Sequence, residues 1–410
     1  MKRKNSLRFS IKLVLPGLLF FVMAYSLSAC STLTLPHFIF KPEIQVKELW
    51  QRKTGTGIRD FYTHLIPAVT EERIYVADTT GIVAAYERKK AKRLWQKTFQ
   101  EVISGGVFVG YGLVLFGTEG GDLYALDAEN GKVLWQQHLS SEILSVPVAN
   151  GQLVIAQTAD GKLFALDQET GAQKWLFQVS VPALCLRGTS SPQLNDEIVL
   201  SGFANGKLIA LHLTTGLPVW ERAISLPQGR SELDRIVDID GNFIVEGPKA
   251  YASTYQGHVA SIDIRSGRPI WQREISSSLD LASGLGNIYL IDFESRIVAL
   301  DELTGADVWG QKDLLNKKLS SPVSYGNYLI TGDEEGYLYF ISQIDGKIIK
   351  KIRIKGTTDN INPEAKSKAR FTPTSVEPGN GLRTRVVVKD DVLYVINNSG
   401  TLRALRVVQF

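Results

Sequence analysis

The sequence predicts an all-β protein, an eight-bladed β-propeller closed on itself by its two chain ends. Three observations carry that prediction. A short motif recurs: in Gly161-Lys162-Leu163-Phe164-Ala165-Leu166 apolar residues alternate as in a strand, Asp167 to Gly171 is rich in turn formers, and Lys174-Trp175 opens a second strand. The same register recurs at residues 81–95, 121–135, 206–220 and 257–271; residues 295–309 keep it with Ser in place of Gly, and 336–350 with Lys in place of Trp. Next, the tryptophan spacings from Trp95 to Trp309 are 40, 40, 45, 51 and 38 residues, each suiting one four-stranded blade. Finally, each end carries half a repeat. Gly400-Thr401-Leu402-Arg403-Ala404-Leu405 opens an eighth copy that reaches Phe410 without a tryptophan, and Val46-Lys47-Glu48-Leu49-Trp50 supplies the missing half. A solenoid has no need of half a repeat at each end, whereas a ring closed this way loses its free sheet edges.

Taken in order, residues 1–29 have the layout of a cleaved secretory signal. Lys2, Arg3, Lys4, Arg8 and Lys12 precede an apolar run from Leu13 to Leu27, broken by Pro16 and Gly17 and followed by small residues. Leu27-Ser28-Ala29-Cys30 resembles the lipobox of bacterial lipoproteins, which implies a lipidated Cys30; by the same resemblance Ser31 favours the outer membrane. Removing the signal takes five cations, so the formal net charge falls from +4 to 4 − 5 = −1. The basicity belongs to the leader, and nothing in the composition argues for nucleic-acid binding. Residues 30–45, with Pro36, Pro42 and the apolar Phe38-Ile39-Phe40, read as the lipidated N-terminus and tether, and 46–410 as the propeller. With Cys30 used by lipid, Cys185 is left alone and no intramolecular disulfide forms.

Within a blade, segments such as Ser145-Val146-Pro147-Val148 and Ser321-Pro322-Val323 are expected to form strand A near the axis. Strand B follows, the motif strand is C and the tryptophan strand is D. Trp50, Trp95, Trp135, Trp175, Trp220, Trp271 and Trp309 are expected to pack between neighbouring blades as scaffold. Antiparallel order places the D-to-A links and the B-to-C hairpins on one face and the Asp-x-x-Thr-Gly turns on the other. The three long departures from the repeat, residues 179–190, 223–240 and 356–381, are all D-to-A links, and the first two flank blade 4. Long connections in compact domains are more often functional than idle.

The contents of those links differ. Residues 356–381 are polar and rich in Pro, Lys and Thr, with no chemistry to assign. Ala183-Leu184-Cys185-Leu186-Arg187-Gly188 sets apolar residues beside one arginine, and residues 232–240 alternate acidic and apolar side chains. Apolar anchors beside Arg and carboxylates suit a protein-binding patch. The pattern equally suits Leu184 and Leu186 as strand-edge core with Asp238 and Asp240 capping a turn.

The lipobox, the ring of Ala-x-Asp-x-x-x-Gly-x-x-x-Trp repeats and these two links together resemble the BamB family, the lipoprotein component of the outer-membrane β-barrel assembly (BAM) machinery. The resemblance spans the mature chain, and Leu184-x-Leu186-Arg187-Gly188 with Asp234-Arg235-x-x-Asp238-x-Asp240 are its more discriminating parts. It implies a non-catalytic scaffold that binds the periplasmic POTRA domains of BamA through Leu184, Leu186, Arg187, Asp238 and Asp240. Asp238 and Asp240 either touch the partner or orient Arg187. It also implies a propeller facing the periplasm on a lipid anchor, and β-augmentation of POTRA edges or nascent outer-membrane strands, which no residue here specifies.

Two other readings stay open. The repeat is shared with pyrroloquinoline-quinone dehydrogenases, which commonly carry vicinal cysteines, calcium and an axial catalytic Asp. Here Cys185 has no cysteine neighbour, no acidic cluster has calcium-loop spacing, and His37, His64, His138, His212 and His258 lack zinc-ligand spacing. No cofactor, metal or catalytic residue is therefore expected beyond the lipid on Cys30. The other reading is an envelope scaffold with a different partner.

Overall fold

The computed structural model describes residues 44–57, 64–354 and 380–409. The signal segment, Cys30, the tether with its Phe38-Ile39-Phe40 cluster, and nearly all of 356–381 lie outside the described residues. Eight sheets form the ring, each containing four antiparallel strands in the expected order A-B-C-D. Blade 1 consists of Ala68–Val69, Arg73–Ala77, Ile82–Glu87 and Arg93–Thr98. Closure is as the half-repeats require. Ile44–Lys53 is strand D of blade 8, paired antiparallel with Thr401–Gln409 from Ile44 opposite Gln409 to Lys53 opposite Thr401. It begins two residues before the expected Val46, and an Arg403–Glu48 ion pair lies across the seam.

The repeat has a plain packing logic. Strands B and C carry runs buried on both faces, so they read as near-continuous apolar segments. Strand D is the outer rim: in Gln173–Gln178 the tryptophan is the one buried residue. Opposite each tryptophan stands a small residue of strand C. Ala85, Ala125, Ala165, Ala210, Ser261, Ala299 and Ala404 pair with Trp95, Trp135, Trp175, Trp220, Trp271, Trp309 and Trp50. In blade 7 Lys350 replaces the tryptophan, and its partner is Phe340, which is fully buried. The large residue has moved across the pair, conserving volume.

Each indole reaches the following blade. Trp50 Nε1 donates to the Arg88 carbonyl at 3.1 Å, Trp95 to Ala128 at 3.0 Å and Trp135 to Gln168 at 2.9 Å. Trp175, Trp220, Trp271 and Trp309 do the same to Leu213, Ile264, Glu302 and Gln343. Every acceptor lies in the next blade's C-to-D turn. Blade 8 has no such turn, because its strands C and D come from opposite chain ends. Blade 7 therefore faces no such turn, and there Lys350 stands in place of the tryptophan. The turn glycine completes the joint: a Cβ on Gly171, whose φ is +72°, would stand 2.8 Å from the Trp135 ring.

Two backbone series fix the faces. Phe99 N–H donates to Gly81, Leu139 to Gly121, Val179 to Gly161 and Ile224 to Gly206, tying D-to-A links to B-to-C hairpins. Ala128 donates to Gly112, Gln168 to Gln152 and Leu213 to Glu197, tying C-to-D turns to A-to-B hairpins on the other face. One strand was not foreseen. His64–Leu65, in the link from blade 8 to blade 1, adds in parallel to strand A of blade 2 and makes a five-stranded sheet. Two paired residues carry no periodic signal, so only tertiary placement reveals them. The expected strand A at Ser145-Val146-Pro147-Val148 is likewise shorter, Val148–Ala149.

Candidate partner-binding face

The two long links flanking blade 4 meet on the D-to-A face, and the second supports the first. Residues 236–240 turn inward: Ile236, Val237 and Ile239 are buried, and so are Asp238 and Asp240, at 1% and 3% exposure. The backbone of this stretch is held by its neighbours. Ile239 N–H donates to Phe203 at 3.3 Å, and Tyr255 N–H donates to the Asp238 carbonyl at 2.9 Å. Deeper in the link, Ser225 Oγ meets His258 Nδ1 at 2.7 Å and accepts from Thr254 Oγ1 at 3.1 Å, clipping the link to the blade 5 hairpin. No residue pattern signals that contact, which joins residues 33 positions apart.

From this base Asp238 Oδ2 accepts the Leu186 N–H. Gly188 lies against Asp240, where a Cβ would come within 1.7 Å of Oδ1. Any side chain at 188 would displace the buried carboxylate, which accounts for the glycine. Burial pushes the Asp238 carboxyl up to about 7; the Asp240 charge adds to this, and the Leu186 N–H opposes it. Burial and the two carboxylates push the Cys185 thiol up, which disfavours the thiolate.

Arg187 is oriented by other residues. Its Nη2 meets Glu119 Oε1 at 2.5 Å and its Nε meets Glu142 Oε2 at 3.3 Å. The contact seen for Asp238 is to the Leu186 backbone, one residue before Arg187. Asp238 and Asp240 are buried beneath the Leu186–Gly188 backbone, and the guanidinium is set by carboxylates of the blade 2 hairpin and the link into blade 3. Asp234 likewise serves its own loop, its Oδ2 accepting the Ser231 N–H at 3.2 Å.

What the links present outward is mixed. Leu184 is 39% exposed and Leu186 half-buried, with Arg187 exposed beside them. A groove between the two links is lined by Val181, Pro182, Leu184, Pro227, Glu232 and Arg235. Leu226 and Leu233 stand out on its far side, both about two-thirds exposed at 67% and 64%. Sequence reasoning named Leu233 only within the alternating stretch 232–240, and it passed over Leu226, Glu119 and Glu142. Isolated leucines in a polar loop were a usable signal for Leu226 and Leu233; the glutamates, 68 and 45 residues from Arg187, had none. Among the described residues no group of three or more His, Cys, Asp or Glu side chains is placed to hold a metal ion.

The family described as outer membrane protein assembly factor BamB matches residues 79–311, more than half of the chain. The outer membrane protein assembly factor BamB of Pseudomonas aeruginosa is 42% identical over 365 residues, covering 89% of this chain and 90% of that protein. The chain belongs to the BamB family. The crystal structure of BamB from Moraxella catarrhalis superposes with a TM-score of 0.76 at 29% identity, covering 88% of this chain and all of that one. The quinohemoprotein alcohol dehydrogenase of Comamonas testosteroni shares the fold alone, with a TM-score of 0.67 at 15% identity over 88% of this chain and 76% of the enzyme. Family membership therefore rests on sequence and structure together, and the likeness to the dehydrogenase on the propeller only.

Proposed function

We infer that this chain, as a BamB-family outer membrane protein assembly factor, works as a non-catalytic scaffold that docks the POTRA domains of BamA on its D-to-A face. Leu184 and Leu186 form the apolar centre of the contact, and Arg187 donates to a carboxylate or carbonyl of the partner. Asp238 and Asp240 act from beneath as positioning residues. Cys30 carries the lipid that holds the ring to the periplasmic side of the outer membrane. The carrying observation is the buried Asp238 accepting the Leu186 N–H, which presents a mixed apolar and basic segment at the surface without burying it.

The rim of this patch is polar and its centre apolar, the composition that concentrates binding energy in a few residues. Glu119 and Glu142 hold the Arg187 fork before a partner arrives, so less side-chain entropy is lost on docking. The test is binding of residues 31–410 to the POTRA domains of the same organism's BamA. Leu186→Ala and Arg187→Ala are each expected to weaken it at least about tenfold, or about 1.4 kcal/mol, while cooperative melting is retained. Unchanged binding by both variants moves the contact off this patch. No binding by the parent ring removes BamA as the partner.

A further inference from the structure

The C-to-D turns follow one recipe, and blade 1 departs from it. In the others the first residue is Asp127, Asp167, His212, Asp263, Asp301 or Ser342, and the fifth is a left-handed glycine. Asp127, Asp167, Asp263 and Asp301 each accept from backbone N–H groups of their own turn, for example Thr170 N–H to Asp167 Oδ1 at 3.0 Å. Blade 1 has Glu87-Arg88-Lys89-Lys90-Ala91 instead, with Ala91 held at a φ of +51°. A non-glycine residue in that region works against the local preference, and such departures cluster where a site is built.

The charge departs as well. Residues 87–97 of blade 1 hold six cations and one anion, 6 − 1 = +5. The matching eleven residues of blades 2 to 7 sum to between −3 and +2. Since the chain without its first 29 residues carries −1, all the rest of it sums to −1 − 5 = −6. Acidic neighbours neutralise part of the corner: Asp390 meets Arg88 at 2.7 Å, and Glu71 lies 3.6 Å from Arg88 and also pairs with Lys389. Lys89, Lys90 and Lys92 are exposed, and no ion pair holds any of them among the described residues.

Position gives the charge its meaning. The turn sits against strand D of blade 8, where Trp50 Nε1 donates to Arg88 and Arg52 Nε to the Ala91 carbonyl at 3.0 Å. That strand is the first of the ring, and its Ile44 end lies on the C-to-D face, opposite the partner-binding face. Cys30 is 44 − 30 = 14 residues earlier. At full extension those residues reach at most about 50 Å. A lipid at Cys30 thus leashes this corner, before any other part of the ring, to a membrane surface.

We propose that Lys89, Lys90 and Lys92 form a contact site for an anionic phospholipid surface, a second attachment beside the lipid on Cys30. The proposal rests on the lipoprotein reading above. A basic cluster next to a lipid anchor adds electrostatic attraction to anionic headgroups, and the attraction falls with salt. It also orients the ring: with the lysine corner toward the bilayer, the D-to-A face points away from it.

Residues 31–410 keep every strand of the eight sheets, so the test uses them without lipid. They are mixed with vesicles of phosphatidylcholine alone, or with about one-third phosphatidylglycerol, at low and high salt. Binding is expected to the phosphatidylglycerol vesicles only and to weaken as salt rises. The triple variant Lys89→Gln, Lys90→Gln, Lys92→Gln is expected to bind at least about tenfold less with its melting unchanged. A control with Lys132→Gln, Lys174→Gln and Lys312→Gln removes equal charge elsewhere and is expected to bind like the parent. Equal loss in both triples, equal binding to both vesicles, or no vesicle binding overturns the site. So does capture of an acidic protein through these lysines without vesicle binding. In cells, incorporation of a labelled fatty acid tests the anchor separately: equal labelling of the parent and Cys30→Ser removes the lipoprotein reading, whatever the vesicles show.

Discussion

The C-to-D turns and the links around blade 4 are loops on opposite faces of one ring, and they are built by opposite rules. In a turn, every constrained side chain serves the ring: the aspartate accepts from its own backbone, and the glycine makes room for the previous blade's indole. The stabilising unit is local and is repeated around the ring. In the links, two carboxylates are buried to hold a segment whose apolar and basic side chains remain in solvent. Asp238 and Asp240 are no part of the repeated turn. The difference separates residues that hold the ring from residues that present a surface, although both belong to motifs of polar and aromatic or apolar residues.

The comparison breaks most visibly at the tryptophans. Trp135→Ala removes a buried indole, its hydrogen bond to Gln168 and its packing on Gly171, so a loss of about 3–5 kcal/mol of stability is expected. Denaturant unfolding measures it. Arg187→Ala, by contrast, gives up two ion pairs on a half-exposed side chain and should change stability by less than about 1 kcal/mol. If the two variants unfold at similar denaturant, the division of labour between the faces is wrong.

Asp238 tests the links. In Asp238→Ala the Leu186 N–H loses its acceptor, while the unfavourable burial of a carboxylate is relieved, so global stability should move little. Amide exchange at Leu186 should nonetheless rise at least about tenfold, the equivalent of about 1.4 kcal/mol, with BamA binding falling in step. Protected amides in this variant would show that the loop holds itself. The pH dependence follows from the raised carboxyl. The folded state binds the proton up to about pH 7, whereas an unfolded aspartate releases it near about 4. Stability from the neutral form is therefore complete below the unfolded value and lost as pH rises through about 7. Melting temperatures of the parent should fall across that window relative to Asp238→Asn. Parallel curves would place the proton elsewhere.

Much of this was legible because a propeller repeats its physics. The blade count, the closure and the face carrying the long links follow from tryptophan spacing, from Trp50 at one end and from Gly400 at the other. Even Ser295, standing in for the hairpin glycine, adopts a left-handed φ of +68°. The candidate site was legible only in part. Leu184, Leu186 and Arg187 lie where an apolar and basic segment in a long link suggested. What holds them did not follow, because the carboxylates on Arg187 come from other blades and Asp238 points to a backbone N–H. The strand His64–Leu65 escaped for the same reason, being defined by its partner in blade 2.

The smallest expected effect sharpens the comparison from within the repeat. Ala91 occupies the position that is glycine in the other turns, at a left-handed φ of +51°. Ala91→Gly relieves about 1–2 kcal/mol of backbone strain but adds about 0.5–1 kcal/mol of unfolded-chain entropy. It also loses a buried methyl, 2% exposed, valued at about 0.8 kcal/mol. The terms nearly cancel, and the variant should fall within about 0.5 kcal/mol of the parent. Gly131→Ala makes the reverse change in blade 2, where the new Cβ would stand 2.6 Å from the Trp95 ring, and should lose well over about 1 kcal/mol. Denaturant midpoints of the pair decide it. Near-neutrality at 91 beside a loss at 131 means that blade 1 accommodates its departure with little loss, leaving the lysines free to be used at the surface. A loss above about 1 kcal/mol at 91 means instead that the methyl anchors the turn, and the alanine is then explained by packing alone.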